Sequence, residues 1–92
     1  MVDPNAMAAD EAVLNITWSG ENGDLPDAIL YDTSEAEIKR NATEAVRTGG
    51  VPGIDLDETV DFADFVVTRF RAKDDVPFNR VVLRPKTPFG PL

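Results

Sequence analysis

The residues that could do chemistry in this chain are its acids and its arginines. Asp55, Asp57, Thr59 and Asp61 follow the 1-3-5-7 spacing that opens a calcium-binding loop. Such a loop needs a glycine at its sixth position for the turn and a glutamate at its twelfth as bidentate ligand. Val60 and Val66 stand there, so the motif is broken and a solvated acidic crossover is the better reading. Glu21, Asp24 and Asp27 form a second acidic cluster with no ligand spacing.

The chain has no histidine and no cysteine. The commonest general bases and the thiol nucleophile are therefore missing. Ser19 and Ser34 have no partner base, and Ser34 reads as a helix cap. These inventories predict a non-enzyme with no cofactor and no metal.

The arginines point elsewhere. Arg69 and Arg71 lie on one predicted strand, and Arg80 and Arg84 on another that also carries Val82. If all of them point away from the core, they make a local basic patch in an acidic protein. Guanidinium groups suit a carboxylate-bearing protein partner, because their forked donors match carboxylate geometry. Neutralisation of Asp61, Asp64, Asp74 and Asp75 is the alternative use for the same charges. Phe89, in the closing Lys86–Leu92 stretch, is an apolar knob that could dock on a neighbour. Pro85 and Pro88 form a PxxP pair, but the flanking base is not at the offset that orients such ligands, so a strand-ending linker is favoured.

Bulk composition narrows the partners. The net charge is −8, from 17 acids and 9 bases. Phosphate contacts need a basic surface, so nucleic acid and anionic membrane are disfavoured. Two readings fit the acidity: a soluble acidic surface, or a high-salt cell or basic partner. Ninety-two residues make one domain with a modest core. No apolar run is long enough for a membrane span or a signal-peptide core, which predicts a cytoplasmic protein.

The elements that must position these residues are organised around Asp32–Ile54. Ser34 is an N-cap with Glu37 three residues on, the pattern of a capping box. Ile38, Ala42, Ala45 and Val46 make one apolar stripe. Gly49 or Gly50 supplies the left-handed stop, and Pro52 prevents resumption. Before this helix, residues 12–19 alternate as a half-buried strand with Leu14, Ile16 and Trp18 on one side. Residues 20–27 read as a turn with Asn22-Gly23 as its hairpin signal, and 28–31 as a short second strand at an edge. After the helix comes an irregular crossover over 51–63. Residues 62–71 fit either a helix with Phe62, Phe65, Val66 and Phe70 on one face or a strand, and β-branched and aromatic enrichment favours strand from about Asp64 on. A last strand runs over 79–85. Residues 1–11 are expected to be a disordered tail, with Met7 a candidate start. Residues 12–85 form the domain and 86–92 an extended tail.

The order is ββαββ, an α+β domain with one helix packed on a mixed four-stranded sheet whose first and last strands are central. This order, the helix ending TGGVPGI and the closing strand RVVLRPKTPFG resemble the ubiquitin-like β-grasp domains over residues 12–90. The resemblance implies a protein-interaction module, an adaptor or accessory subunit. Conjugation through a terminal Gly-Gly is not implied, because this chain ends Phe89-Gly90-Pro91-Leu92. The alternative is a structural or assembly component, or a homo-oligomer subunit, using the C-terminal tail.

Overall fold

Alternating apolar residues build β1 (Glu11–Trp18), and everything else is arranged on it. The computed structural model describes residues 7–86. β2 (Glu21–Asp24) and β3 (Ile29–Leu30) pair with β1 antiparallel, and β5 (Asn79–Arg84) pairs with it in parallel. β4 (Val66–Phe70) closes the sheet against β5, antiparallel. The order is β2-β1-β5-β4, with β3 beside the start of β1, so the sheet is mixed and the first and last strands are central.

Among the described residues the sheet has five strands, not the expected four. The chain turns at Ser19 and Gly20, with φ of 52° and 80°, and Trp18 pairs directly with Glu21. Two successive left-handed residues match the twist of a tight hairpin. Asn22 and Gly23, expected at the turn, therefore lie inside β2. Gly23 is there for close approach: a Cβ on it would overlap the carbonyl oxygen of Pro52. The second strand expected over 28–31 contracts to two residues on the start of β1.

One helix, α1 (Glu35–Arg47), covers one face of the sheet. Ser34 Oγ accepts the amide of Glu37 at 3.2 Å. The capping box is only half formed, because the Glu37 carboxylate turns to Arg40. Ile38, Ala42 and Val46 are buried, as the stripe predicts. The helix ends in a Schellman motif: Gly49, at φ 73°, donates to Val46 O, and Gly50 donates to Ala45 O at 2.7 Å.

The core lies between α1 and the sheet. Ala12, Leu14 and Ile16 of β1 meet Val81 and Leu83 of β5 under the helix, and Val51, Ile54, Val60 and Phe62 of the crossover seal the side. Trp18 stands at the rim, its ring 5.4 Å from Phe62 and 5.7 Å from Phe65. Offset and edge contacts of this kind stabilise aromatic clusters beyond simple area burial.

β1 begins one residue before the expected domain start at residue 12. Glu11 is in β1, and the Asp10 carbonyl accepts the Tyr31 amide at 2.7 Å. Residues 1–6 and 87–92, the latter including Phe89, lie outside the described residues. Among the described residues no helix is long and apolar enough to cross a membrane.

Candidate protein-binding face

The two-residue period of the strands decides which side chains face away from α1. On β5 these are Arg80, Val82 and Arg84, which register places beside Phe70, Thr68 and Val66 of β4. On the other side of β5, Val13 and Asn15 of β1 pair with Arg80 and Val82. Thr17 and then Asn22 and Asp24 of β2 complete the row.

This helix-free face has two chemically different halves. On β1 and β2 the polar groups satisfy one another. Asn15 Nδ2 donates to Asn22 Oδ1 at 3.0 Å and to Asp24 Oδ1 at 2.8 Å. Asn22 Nδ2 donates to Asn15 Oδ1 at 2.8 Å and to Thr17 Oγ1 at 2.9 Å. The half on β4 and β5 is apolar and basic. Val13 and Val82 are only 7% and 5% exposed, although among the described residues no second layer covers them. Arg80 and Arg84 line the same depression as these valines, and the stems of long side chains can cover apolar surface of this kind. The Arg80 guanidinium lies 4.9 Å from the Phe70 ring centroid, in cation–π contact. Val66 remains 43% exposed at the outer margin.

Between the halves is a depression of about 290 Å³, lined by Val13, Asn15, Asp24, Phe78, Arg80, Val82 and Arg84. Among the described residues the salt-bridge geometry is met by Arg40 with Glu37 alone, so Arg80 and Arg84 have no carboxylate partner. Among the described residues Asp61, Asp64, Asp74 and Asp75 are not within salt-bridge distance of them. Arg80 Nε is also buried without a hydrogen-bond partner.

The four arginines grouped by the sequence do not stay together. Arg80, Val82 and Arg84 share the free face. Arg69 has the opposite parity, beside Val81 on the core side. Its Nη1 and Nη2 donate to the carbonyls of Tyr31 and Thr33 at 2.6 and 2.7 Å. The Arg71 guanidinium sits 4.0 Å above the Tyr31 ring. These two clamp the segment that leads into α1. Arg69 is a strand residue whose parity was readable once Val66, Thr68 and Phe70 were known to point outward.

The acidic crossover is explained by turn chemistry. Asp57 Oδ1 accepts the amide and hydroxyl of Thr59, and Asp57 Oδ2 accepts the Trp18 indole N–H. Asp61 Oδ1 accepts the amide of Ala63. Hydrogen bonds from the Thr59 hydroxyl, then Trp18, then the Thr59 amide hold the Asp57 carboxyl below its ordinary pKa. Among the described residues no group of three or more acids or other ligands is placed to hold a metal. A larger depression, about 530 Å³, runs along the outer side of α1 between Arg40, Thr43, Glu44, Arg47, Thr48 and Glu58, with charges of both signs.

Asn79 carries a role that the strand pattern does not announce. It is 5% exposed, and its amide ties three segments together. Nδ2 donates to the carbonyls of Ala9 and Glu11, and Oδ1 accepts the Ala72 amide.

The chain matches no protein-family model, no curated protein and no solved structure. What the face can bind follows from its own chemistry. Two guanidiniums with no salt-bridge partner among the described residues, beside an apolar floor, offer charge-assisted hydrogen bonds to carboxylates and apolar contact to the groups that carry them.

Proposed function

We propose that the protein is a non-catalytic interaction module of the ubiquitin-like, β-grasp type. It docks a carboxylate-bearing protein partner on the helix-free face of its sheet. Arg80 and Arg84 are the charge anchors, and Val82 lies on the floor between them. The β-grasp reading is supported by a parallel central pair made of the first and last strands, with the single helix on one face. One observation carries the binding reading: in a chain of net charge −8, Arg80 and Arg84 stand on an uncovered face without a carboxylate partner among the described residues. Interface cores favour arginine beside apolar groups.

The test is quantitative affinity capture with the full chain. Wild type is compared with the double variant R80E/R84E, and with R40E/R47E on the outer side of α1 as a charge-matched control. Partners rich in acidic segments should be retained by wild type and by the control and lost by R80E/R84E. Equal retention by both double variants would sink the proposal.

A further inference from the structure

The two margins of the sheet are built differently. On one side β2 and β3 are four and two residues long, carry Glu21 and Asp24, and are separated by a stretch containing Pro26. Short, charged and proline-interrupted edges resist pairing with another chain. On the other side β4 runs five residues, Val66-Val67-Thr68-Arg69-Phe70, with no proline and no lysine. β-Branched and aromatic residues of this kind favour strand pairing. Its one charged side chain is already taken up by the Tyr31 and Thr33 carbonyls. Among the described residues β4 pairs with β5 alone, and no hydrogen bond from any other element reaches the backbone of residues 66–70.

Charge is distributed just as unevenly. Six of the nine bases lie between Arg69 and Lys86, where Asp74 and Asp75 are the opposing acids. At the Phe70 end of β4 stand Arg71, Lys73 and Arg80; at the Val66 end stand Asp61 and Asp64, with Arg84 across the sheet. An added strand with acids at one end is therefore oriented by the field along β4.

We propose that the open edge of β4 accepts an extended, acidic segment of a partner protein as an additional strand. The partner's alternate apolar residues lie beside Val66 and Phe70 on the helix-free face, and its acidic end lies beside Arg71 and Lys73. Main-chain hydrogen bonds supply affinity in this mode, and the side-chain rows supply specificity. A second copy of the chain is the poorer occupant, because each copy carries a net charge of −8. The inference rests on reading the chain as an interaction module, but not on Arg80 and Arg84 being its anchors.

The test uses the isotope-labelled full chain and a short synthetic peptide of alternating valine and threonine with glutamates at one end. Amide shifts centred on residues 66–70, with slowed hydrogen exchange there, are expected. The same peptide methylated on the backbone nitrogens that face β4 should bind about tenfold more weakly or worse, because it cannot form the strand hydrogen bonds. A lysine-for-glutamate peptide should also bind more weakly. Equal affinity of the methylated peptide overturns the proposal, and so does an absence of binding at millimolar concentration. Shifts confined to Val13, Arg80, Val82 and Arg84, with exchange at β4 unchanged, overturn it while leaving the face reading in place. Concentration-dependent protection of β4 without peptide overturns it in favour of a second copy. Binding at β4 that survives R80E/R84E supports the edge and counts against the face.

Discussion

Trp18 donates its indole N–H to Asp57 Oδ2 at 2.9 Å, joining the end of β1 to the crossover that seals the core. The same carboxylate accepts the Thr59 amide and hydroxyl at 2.8 and 2.6 Å through Oδ1. One aspartate thus closes a local turn and fixes the rim aromatic against Phe62 and Phe65. The acids of the crossover are read as ligands only if their spacing is taken without these partners.

A pH dependence follows from that carboxylate. Its hydrogen bonds favour the ionised form, so its pKa in the folded chain is below the ordinary value of 3.8. A depressed pKa contributes stability that is complete above the unfolded-state value and is lost as pH falls through the folded-state value. The stability difference between wild type and Asp57→Ala should be constant from neutral pH to about pH 5 and shrink below the ordinary value. Urea titrations at a series of pH values check this. Trp18 is the only tryptophan, so its emission reports the same site. Asp57→Ala should shift that emission to the red at neutral pH, and a difference that grows on acidification would contradict the assignment.

Asn79 should be among the most sensitive polar positions. Its three hydrogen bonds, at 2.9, 3.0 and 2.9 Å, connect β5 to the carbonyls of Ala9 and Glu11 and to the Ala72 amide. Two carbonyls on one side and an N–H on the other settle which way the amide points. Asn79→Ala removes all three bonds at a buried site, for an expected loss of about 3 kcal/mol in urea denaturation. Asn79→Asp should lose more, because an oxygen would then face two carbonyl oxygens. A loss under about 1 kcal/mol for the alanine variant would mean that water replaces the amide there.

Much of this fold is legible in local patterns, and the illegible parts share a cause. Ser34, the Ile38-Ala42-Val46 stripe and Gly49 declare α1 within one stretch of chain, and the structure uses each as declared. The central pair is also readable, because Leu14 and Ile16 alternate as Val81 and Leu83 do. Asn22-Gly23 misleads because the reason for Gly23 is tertiary: the Pro52 carbonyl passes over it, and no local pattern encodes that. Asn79 is hidden for the same reason, since two of its partners lie on the first described segment. Arg69 is different. Its inward parity is written in the alternation of β4, yet a charged residue is readily assigned to the outer face unless buried carbonyls such as those of Tyr31 and Thr33 are known to receive it.

The two glycines near the hairpin should respond to alanine in a telling order. Gly20 has φ of 80° and open space around a Cβ, so Gly20→Ala should cost about 1 kcal/mol of backbone strain. Gly23 has no left-handed requirement, but its Cβ would overlap Pro52 O, which forces β2 away from the crossover. Overpacking of this kind costs about 1–3 kcal/mol, and here the obstacle is backbone, so the upper end is expected. Thermal denaturation of the two variants decides the order. A turn at Asn22-Gly23 would instead leave Gly20→Ala nearly neutral.

On the proposed reading, Arg80 separates binding from stability. Its Nε is buried with no hydrogen-bond partner among the described residues, and an unsatisfied buried donor opposes folding. Its stem and guanidinium meanwhile cover apolar surface near Phe70. Arg80→Met keeps most of that apolar contact and removes the orphan donor. Its stability should stay within about 0.5 kcal/mol of wild type, as for a substitution without a lost partner. Partner affinity should nevertheless fall about tenfold, the scale of one hydrogen bond to a charged group. Arg84→Met should behave alike in binding, since Arg84 is exposed at the other end of Val82. Calorimetric unfolding and affinity capture, run on the same variants, separate the two effects. A loss of about 2 kcal/mol or more in Arg80→Met would make the residue a strut for Phe70 and Val82, and the free face would lose half of its claim as a binding surface.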